Sequence, residues 1–206
     1  MLARTLSLST AAAAALLLSA CAMTPPADPS APARLAGTAA EARAQVDPAA
    51  LNRILAGTQP LPPMPDMEYV RMAGASDLFE IESSRLALEK SQNPAVRDYA
   101  QMMIAHHTTS TQALMEKVRM AGMTMPPPTL MPDQVALMAQ LRAAPAGQSL
   151  DMAYWNGQTV GHRKAWALHT GHAQHGQMAP FREAAATVKP VVEQHLVEIA
   201  RRSGMS

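Results

Sequence analysis

The chain contains little cysteine, few aromatic residues and almost no net charge, and each of these features excludes a class of structure or function. Cys21 is the only cysteine among 206 residues, so no disulfide can form within the chain. Two Trp, three Tyr and two Phe provide little aromatic volume, and the 16 methionines must supply part of the core. With 17 basic and 16 acidic residues, there is no basic excess of the kind that binds nucleic acid.

The first 21 residues have the pattern of a secretory signal peptide that ends at a cysteine. Arg4 is followed by an apolar, alanine-rich run that is too short to cross a bilayer comfortably. The residues from Leu18 to Cys21 resemble the lipobox of bacterial lipoproteins, which implies cleavage before Cys21 and acylation of its thiol. We therefore predict a signal peptide over residues 1–21, lipidation at Cys21 and attachment to a membrane through that lipid.

The residues after Cys21 indicate which membrane holds the protein and how long the segment between the lipid anchor and the folded domain is. By resemblance to the sorting rule of Gram-negative bacteria, Ala22 favours the outer membrane, so we expect a cell-envelope protein on its periplasmic face. Residues 22–65 are rich in Pro and Ala, and we predict a tether that is semi-rigid where proline clusters. Within it, we expect a short helix over residues 39–55, broken at Pro48.

From Asp66 onward, apolar and small residues recur at spacings of three and four, without the alternation typical of strands. Proline and glycine residues mark the boundaries between the periodic segments. Residues 66–206 are therefore predicted to be all-α, an antiparallel up-down-up-down four-helix bundle. The predicted long helices cover residues 67–91, 94–120, 149–174 and 179–202, the last interrupted at Pro190, and a short helix covers residues 132–143.

Each long helix carries one ionisable residue on its inward face. At 1.5 Å per residue in an up-down bundle, these four lie roughly 18–24 Å from the same end. We therefore predict that Glu80, His107, His162 and His195 form one layer across the core. On the third long helix, the inward stripe has alternating spacings of three and four: Met152, Trp155, Thr159, His162, Trp166, His169 and Ala173.

Such a layer needs a physical reason, because a buried carboxylate or imidazole without partners is costly. One hypothesis is that Glu80, His107, His162 and His195 bind one divalent metal ion, for which zinc, copper, iron and manganese are candidates. The alternative is a set of hydrogen bonds around a water, in which Glu80 accepts from imidazole N–H groups. Both explanations fit the spacing.

Four further histidines are secondary metal candidates. His106 lies about 100° around its helix from His107 and points to the flank. His169, His172 and His175 follow one another at intervals of one turn near the end of the third long helix. These three would suit copper, nickel or zinc, and the alternative is a partly exposed, histidine-rich helix end.

Several groups of residues, by their identity and their order along the chain, resemble the pattern of a known family. On these groups, residues 66–202 resemble family number 4142 among the bacterial domains of unknown function, which is found in exported proteins. The resemblance implies a ferritin-like helical fold and no particular activity. The chain departs from the family pattern at His106, where aspartate is usual, and at Arg163, where an acidic or amide residue is common. The groups are Tyr69-Val70, Ala73, Glu80 to Ser84 and Leu86-Ala87, then Val96, Tyr99-Ala100, Met102 to Ile104 and His107-Thr108, and finally His162, Pro190 and His195-Leu196.

No catalytic motif emerges from the sequence. Ferritin-type di-iron sites use Glu-x-x-His pairs, but Ile104, Thr159 and Val192 stand three residues before the three core histidines. No P-loop, dinucleotide fingerprint or nucleophile elbow is present, so no catalytic residue is assigned. We predict a non-catalytic envelope lipoprotein that binds a divalent metal for buffering or stress tolerance. The alternatives are a structural or interaction module and a metal-dependent enzyme.

Overall fold

The computed structural model describes residue 28 and residues 30–204. This part of the chain contains seven α-helices and no strand, which confirms the predicted all-α class. None of these helices is both long enough and apolar enough to cross a membrane. The predicted signal peptide and Cys21 lie outside the described residues. The helices are α1 (Ala31–Gln45), α2 (Pro48–Ile54), α3 (Asp66–Lys90), α4 (Pro94–Met120), α5 (Pro132–Ala143), α6 (Gln148–His175) and α7 (Ala179–Ser203).

The four long helices enclose the core. Helix α3 packs on α4 and α6, and α7 packs on α6 and, less extensively, on α4. The core contains two apolar clusters, one around Tyr99 and Tyr154 and the other around Tyr69 and Phe181. The central parts of α3 and α4, which carry the predicted polar layer, lie between these clusters. The prediction that Met152 faces inward is wrong, because this residue is 63 % exposed.

Residues 31–54 pack onto the long helices, which differs from the tether predicted over residues 22–65. Helix α1 lies against both α4 and α7. Its buried residues recur at helical spacing and are mostly alanines, whose small side chains permit a close approach. Alanine also contributes little hydrophobicity, so the composition of this stretch resembled that of a linker. The buried residues of α1 are Ala31, Leu35, Ala39 and Ala42.

Helix α7 continues through Pro190, so the interruption predicted there is wrong. A proline inside a helix removes the hydrogen bond to the carbonyl four residues earlier. That carbonyl belongs to Ala186, and the guanidinium of Arg43 in α1 donates to it, with 3.4 Å between Nη2 and the oxygen. Helix α1 thus supplies a donor to the carbonyl that Pro190 leaves without its helical partner.

Asp66, the first residue of α3, connects the start of α3 to the start of α7. The carboxylate of Asp66 accepts hydrogen bonds from the backbone N–H groups of Gln177 at 3.0 Å and Met178 at 2.9 Å. These N–H groups lie at the start of α7, where a negative charge is favourable. The start of α3 is therefore held against the turn between α6 and α7.

Gly171 is a position where the packing leaves no room for a side chain. A Cβ at this residue would lie 2.2 Å from the backbone oxygen of Leu61, whose N–H donates to the carbonyl of Ala167. We expect Gly171→Ala to lower the free energy of unfolding by about 2–3 kcal/mol, because backbone cannot yield as a flexible side chain can. Chemical denaturation measures the change.

Gly37 provides the matched control for this substitution. It lies in α1, and a Cβ there would meet nothing within 4 Å. Gly37→Ala should leave stability unchanged or raise it by about 0.5–1 kcal/mol, because alanine is the better helix former. Equal effects of the two substitutions would contradict the close approach at Gly171.

Candidate metal site

Three histidines from three helices converge in the core. They are His107 of α4, His162 of α6 and His195 of α7, and one ligand nitrogen from each lies within 4.8 Å of the other two. The three residues are 5 %, 0 % and 1 % exposed. Three members of the predicted layer are thus brought together at one height, between the two apolar clusters.

His107 is oriented by Asp77 of α3, a residue that the sequence pattern did not single out. The Nδ1–H of His107 donates to Asp77 Oδ1 at 2.8 Å, and the Thr111 hydroxyl donates to Oδ2 at 3.1 Å. Asp77 thus occupies Nδ1 of His107, and the second ring nitrogen, Nε2, is buried and has no hydrogen-bond partner. Asp77 precedes Glu80 by about one helical turn, so both carboxylates lie on one side of α3. This spacing was the sequence signal that could have identified Asp77 as part of the site.

A chain of hydrogen bonds links the other histidines. His162 Nδ1 donates to the backbone oxygen of Gln158 at 2.9 Å, so its Nε2 is an acceptor. His195 Nδ1 donates to that Nε2 at 3.1 Å, and His195 Nε2 accepts from His106 Nδ1 at 2.8 Å. His106, one of the secondary candidates, thus contacts the site through His195 from a half-buried position.

Burial keeps the imidazoles of His162, His195 and His106 neutral. It lowers the pKa of His162 to about 3, with a further contribution from His107. Burial, followed by the neighbouring histidines, holds the pKa of His195 well below its usual value, and burial also lowers the pKa of His106. A neutral imidazole has a lone pair to offer, so near neutral pH no imidazolium proton competes with a metal ion.

Glu80, the fourth member of the predicted layer, lies beside the three-histidine group and outside it. Its Oε1 is 3.5 Å from His162 Nδ1, which is the ring nitrogen that does not face His195. Neither carboxyl oxygen has a hydrogen-bond partner. Burial raises the pKa of Glu80 well above its usual value, and the nearby Gln158 amide opposes this only in part.

Gly161 of α6 creates the space that Glu80 occupies. A Cβ at this position would lie 2.5 Å from Glu80 Oε1 and 3.1 Å from the ring of Phe79. The glycine immediately before His162 therefore lets a carboxyl group of α3 approach the backbone of α6.

The remaining histidines of α6 do not form a second group within the described part of the chain. His169 Nδ1 is 3.1 Å from the hydroxyl of Tyr69. His172 stacks on the Tyr69 ring with 3.9 Å between centroids, and its Nε2 is 3.1 Å from Asp66 Oδ1. His175 is exposed. His169 and His172 thus contact different parts of the same tyrosine, and these two and His175 do not converge on a common point, although their spacing is one helical turn.

Comparison with known proteins identifies the family. The family described as "Domain of unknown function (DUF4142)" matches residues 52–201. This range includes α3 to α6, most of α7, and every residue of the site described above. No curated protein and no solved structure matches the chain significantly. The match confirms the resemblance found in the sequence, and the chain belongs to the DUF4142 family.

Proposed function

We propose that the chain is a non-catalytic envelope lipoprotein that holds one divalent transition-metal ion between His107, His162 and His195. The observation that carries this proposal is the Nε2 atom of His107, a buried lone pair without a partner beside two further imidazoles. Leaving a buried acceptor unpaired costs about 1–3 kcal/mol. Coordination of a metal ion would remove this cost, and it would explain why histidines from three helices converge.

The donor set supports zinc first, with copper and iron as further candidates, because three neutral imidazoles suit all of these ions. Nitrogens that each lie 2.0–2.1 Å from a tetrahedral zinc ion are roughly 3.3 Å apart. His162 Nε2 and His195 Nδ1 are 3.1 Å apart, which is close to this separation. Manganese prefers oxygen donors and would need Glu80 as a ligand.

Binding requires two protons to change place. The hydrogen bond between His195 Nδ1 and His162 Nε2 occupies both lone-pair directions that an ion needs. In the bound state the proton of His195 moves from Nδ1 to Nε2 and that of His106 moves from Nδ1 to Nε2, so His195 Nε2–H donates to His106 Nδ1 at the existing distance of 2.8 Å. Asp77 prepares His107 for binding by a different means. A carboxylate that accepts from one ring nitrogen fixes the orientation of the imidazole and raises the basicity of the other nitrogen.

The alternative function is a structural or interaction module whose polar layer only fixes the register of the helices. The hydrogen bonds from His106 through His195 and His162 to Gln158 favour this alternative, because they satisfy three imidazoles without an ion. They leave His107 Nε2 and both oxygens of Glu80 without partners. Metal binding assigns a role to His107 Nε2, and we therefore prefer it.

The cellular setting and the finer fold belong to the same proposal. The lipobox resemblance at Cys21 supports a lipid anchor in the cell envelope, where the site would serve metal buffering or stress tolerance. The packing of α3 on α4 and of α6 on α7 supports an up-down-up-down bundle of ferritin-like type. Short connections over residues 91–93 and 176–178 are the kind that join antiparallel neighbours.

Metal analysis of the full chain tests the proposal. After incubation with zinc and desalting, we expect about one ion per chain in the wild type and none above background in the double variant His107→Ala/His195→Ala. His175→Ala is the matched control, because His175 is exposed and lies outside the group. An equal zinc content in the wild type and the double variant would overturn the proposal, as would a folded wild type that retains no zinc, copper or iron.

The Asp77→Asn substitution tests how His107 is prepared for binding. An asparagine amide lacks the charge that favours a proton on His107 Nδ1, so the lone pair is no longer held on Nε2. We expect zinc affinity to fall 10- to 100-fold, which competition with a chromogenic chelator measures. Asp133→Asn is the control, since Asp133 is partly exposed and pairs with Lys164 away from the site. Unchanged affinity in Asp77→Asn would show that the carboxylate does not act on the metal.

A further inference from the structure

A cavity of about 320 Å³ lies between α1, α4 and α7. Its volume is at the lower end of the range of about 300–1,000 Å³ that small-molecule sites occupy. Helices α4 and α7 pack on each other less extensively than the other neighbouring long helices do, and α1 lies against both. The cavity is therefore the space that α1 covers without filling.

The walls of the cavity are mostly apolar and carry no net charge. Leu35 of α1, Leu114 of α4 and Val188 of α7 contribute apolar side chains. The two charged side chains that reach it, Lys117 and Glu183, are 3.3 Å apart and neutralise each other. An additional charge deep in the cavity would have no partner, and its burial would be costly.

Two buried polar side chains that contact each other also line the cavity. Tyr69 and His169, which are 1 % and 5 % exposed, both line the cavity, and the Tyr69 hydroxyl is 3.1 Å from His169 Nδ1. The hydroxyl has no other acceptor among the described residues, so it donates to Nδ1, and the imidazole proton resides on Nε2. Burial lowers the pKa of His169 to about 3, so the ring stays neutral.

We propose that this cavity binds a small uncharged organic molecule whose carbonyl or ether oxygen accepts a hydrogen bond from His169 Nε2. No described residue accepts from this N–H, so it is free to donate to a molecule in the cavity that His169 lines. The apolar remainder of the molecule contacts Leu35, Leu114 and Val188. A pocket of this kind, with apolar walls and a few convergent polar groups, is typical of small-molecule binding sites.

Three probes of similar shape test the chemistry of the ligand. We expect acetophenone to cause saturable amide shifts at the cavity residues of the full chain, with a dissociation constant of about 1 mM or tighter. Ethylbenzene, which lacks the oxygen, should bind about tenfold more weakly, because one hydrogen bond is missing. Benzoate should not bind, because its charge would be buried without a partner. Absence of saturable shifts with acetophenone, or equal binding of acetophenone and either other probe, would overturn the proposal.

Variants of the chain locate the site. Ala184→Leu fills the cavity from α7 and should abolish acetophenone binding, whereas the exposed Ala186→Leu on the same helix should leave it unchanged. His169→Phe keeps the bulk of the ring, removes the donor, and should eliminate the tenfold preference for acetophenone over ethylbenzene. Unaltered binding in Ala184→Leu would place the ligand elsewhere and refute the assignment. The comparison of Ala184→Leu with Ala186→Leu retains this power even if His169→Phe does not fold.

Discussion

Saturation with zinc is expected to raise the unfolding temperature of the protein by roughly 8–16 °C. An ion that binds only the folded state stabilises it by about 4 kcal/mol when its free concentration is a thousand times the dissociation constant. For a chain of this size, each kcal/mol corresponds to roughly 2–4 °C. The effect is large because the three ligands come from α4, α6 and α7, so the ion links helices that separate on unfolding.

The comparison of loaded and metal-free protein must be made within each variant. Alanine at His107 and His195 leaves a cavity and removes the partner of Asp77, so the double variant should be less stable than the wild type without any metal. Its thermal transition should not respond to zinc, whereas that of His175→Ala should rise as in the wild type. Differential scanning calorimetry near neutral pH measures each shift. A double variant that zinc stabilises as much as the wild type would exclude the three-histidine site.

Between pH 7 and pH 5, His162 and His169 together are expected to lower the free energy of unfolding of the metal-free protein by about 4 kcal/mol. His162 and His169 have an ordinary pKa of 6.5 and are held at about 3 in the folded chain, mainly by burial. Above pH 6.5 both states are neutral and these groups do not affect stability. Below it the unfolded state binds protons that the folded state refuses, so stability falls until the pH approaches 3. Each histidine contributes about 2 kcal/mol over this interval.

Urea denaturation at a series of pH values measures this loss. The pKa of His195 is also held low by burial, so its contribution has the same sign, whereas the raised pKa of Glu80 gives a contribution of the opposite sign. His169→Phe should remove about half of the dependence assigned to His162 and His169, whereas His175→Ala, which removes an exposed imidazole, should retain the full slope. A His169→Phe variant with the same pH dependence as the wild type would show that this imidazole is not buried as a neutral group.

Much of the fold was predictable because it depends on local rules. The predicted bounds of α4 and α5 coincide with those of the structure, since Pro94 and Pro132 suit only the first turn of a helix. The interruption predicted at Pro190 was wrong, and the carbonyl that Pro190 leaves free accepts instead from Arg43, which lies 147 residues earlier in the chain than the proline. A local rule cannot include such a partner.

Part of the candidate site was likewise predictable from the sequence, and part was not. The periodicity of three and four, with a constant rise per residue, was enough to bring His107, His162 and His195 to one height. Height along a helix does not specify the direction in which a side chain points within the layer. Glu80 was therefore predicted at the correct level, yet its carboxyl group lies behind His162, and Asp77 on the neighbouring turn contacts His107.

By itself, the sequence determined that the chain is helical, that polar residues interrupt an apolar core at a common level, and that a lipobox-like cysteine precedes the folded part. These properties follow from the identity and spacing of residues along one helix at a time. Tertiary structure alone decided that α1 covers α4 and α7, that three imidazoles approach within reach of one ion, and that a cavity remains above Tyr69 and His169. The reason is physical: rotation of packed helices about their axes depends on the shapes of all neighbouring side chains at once.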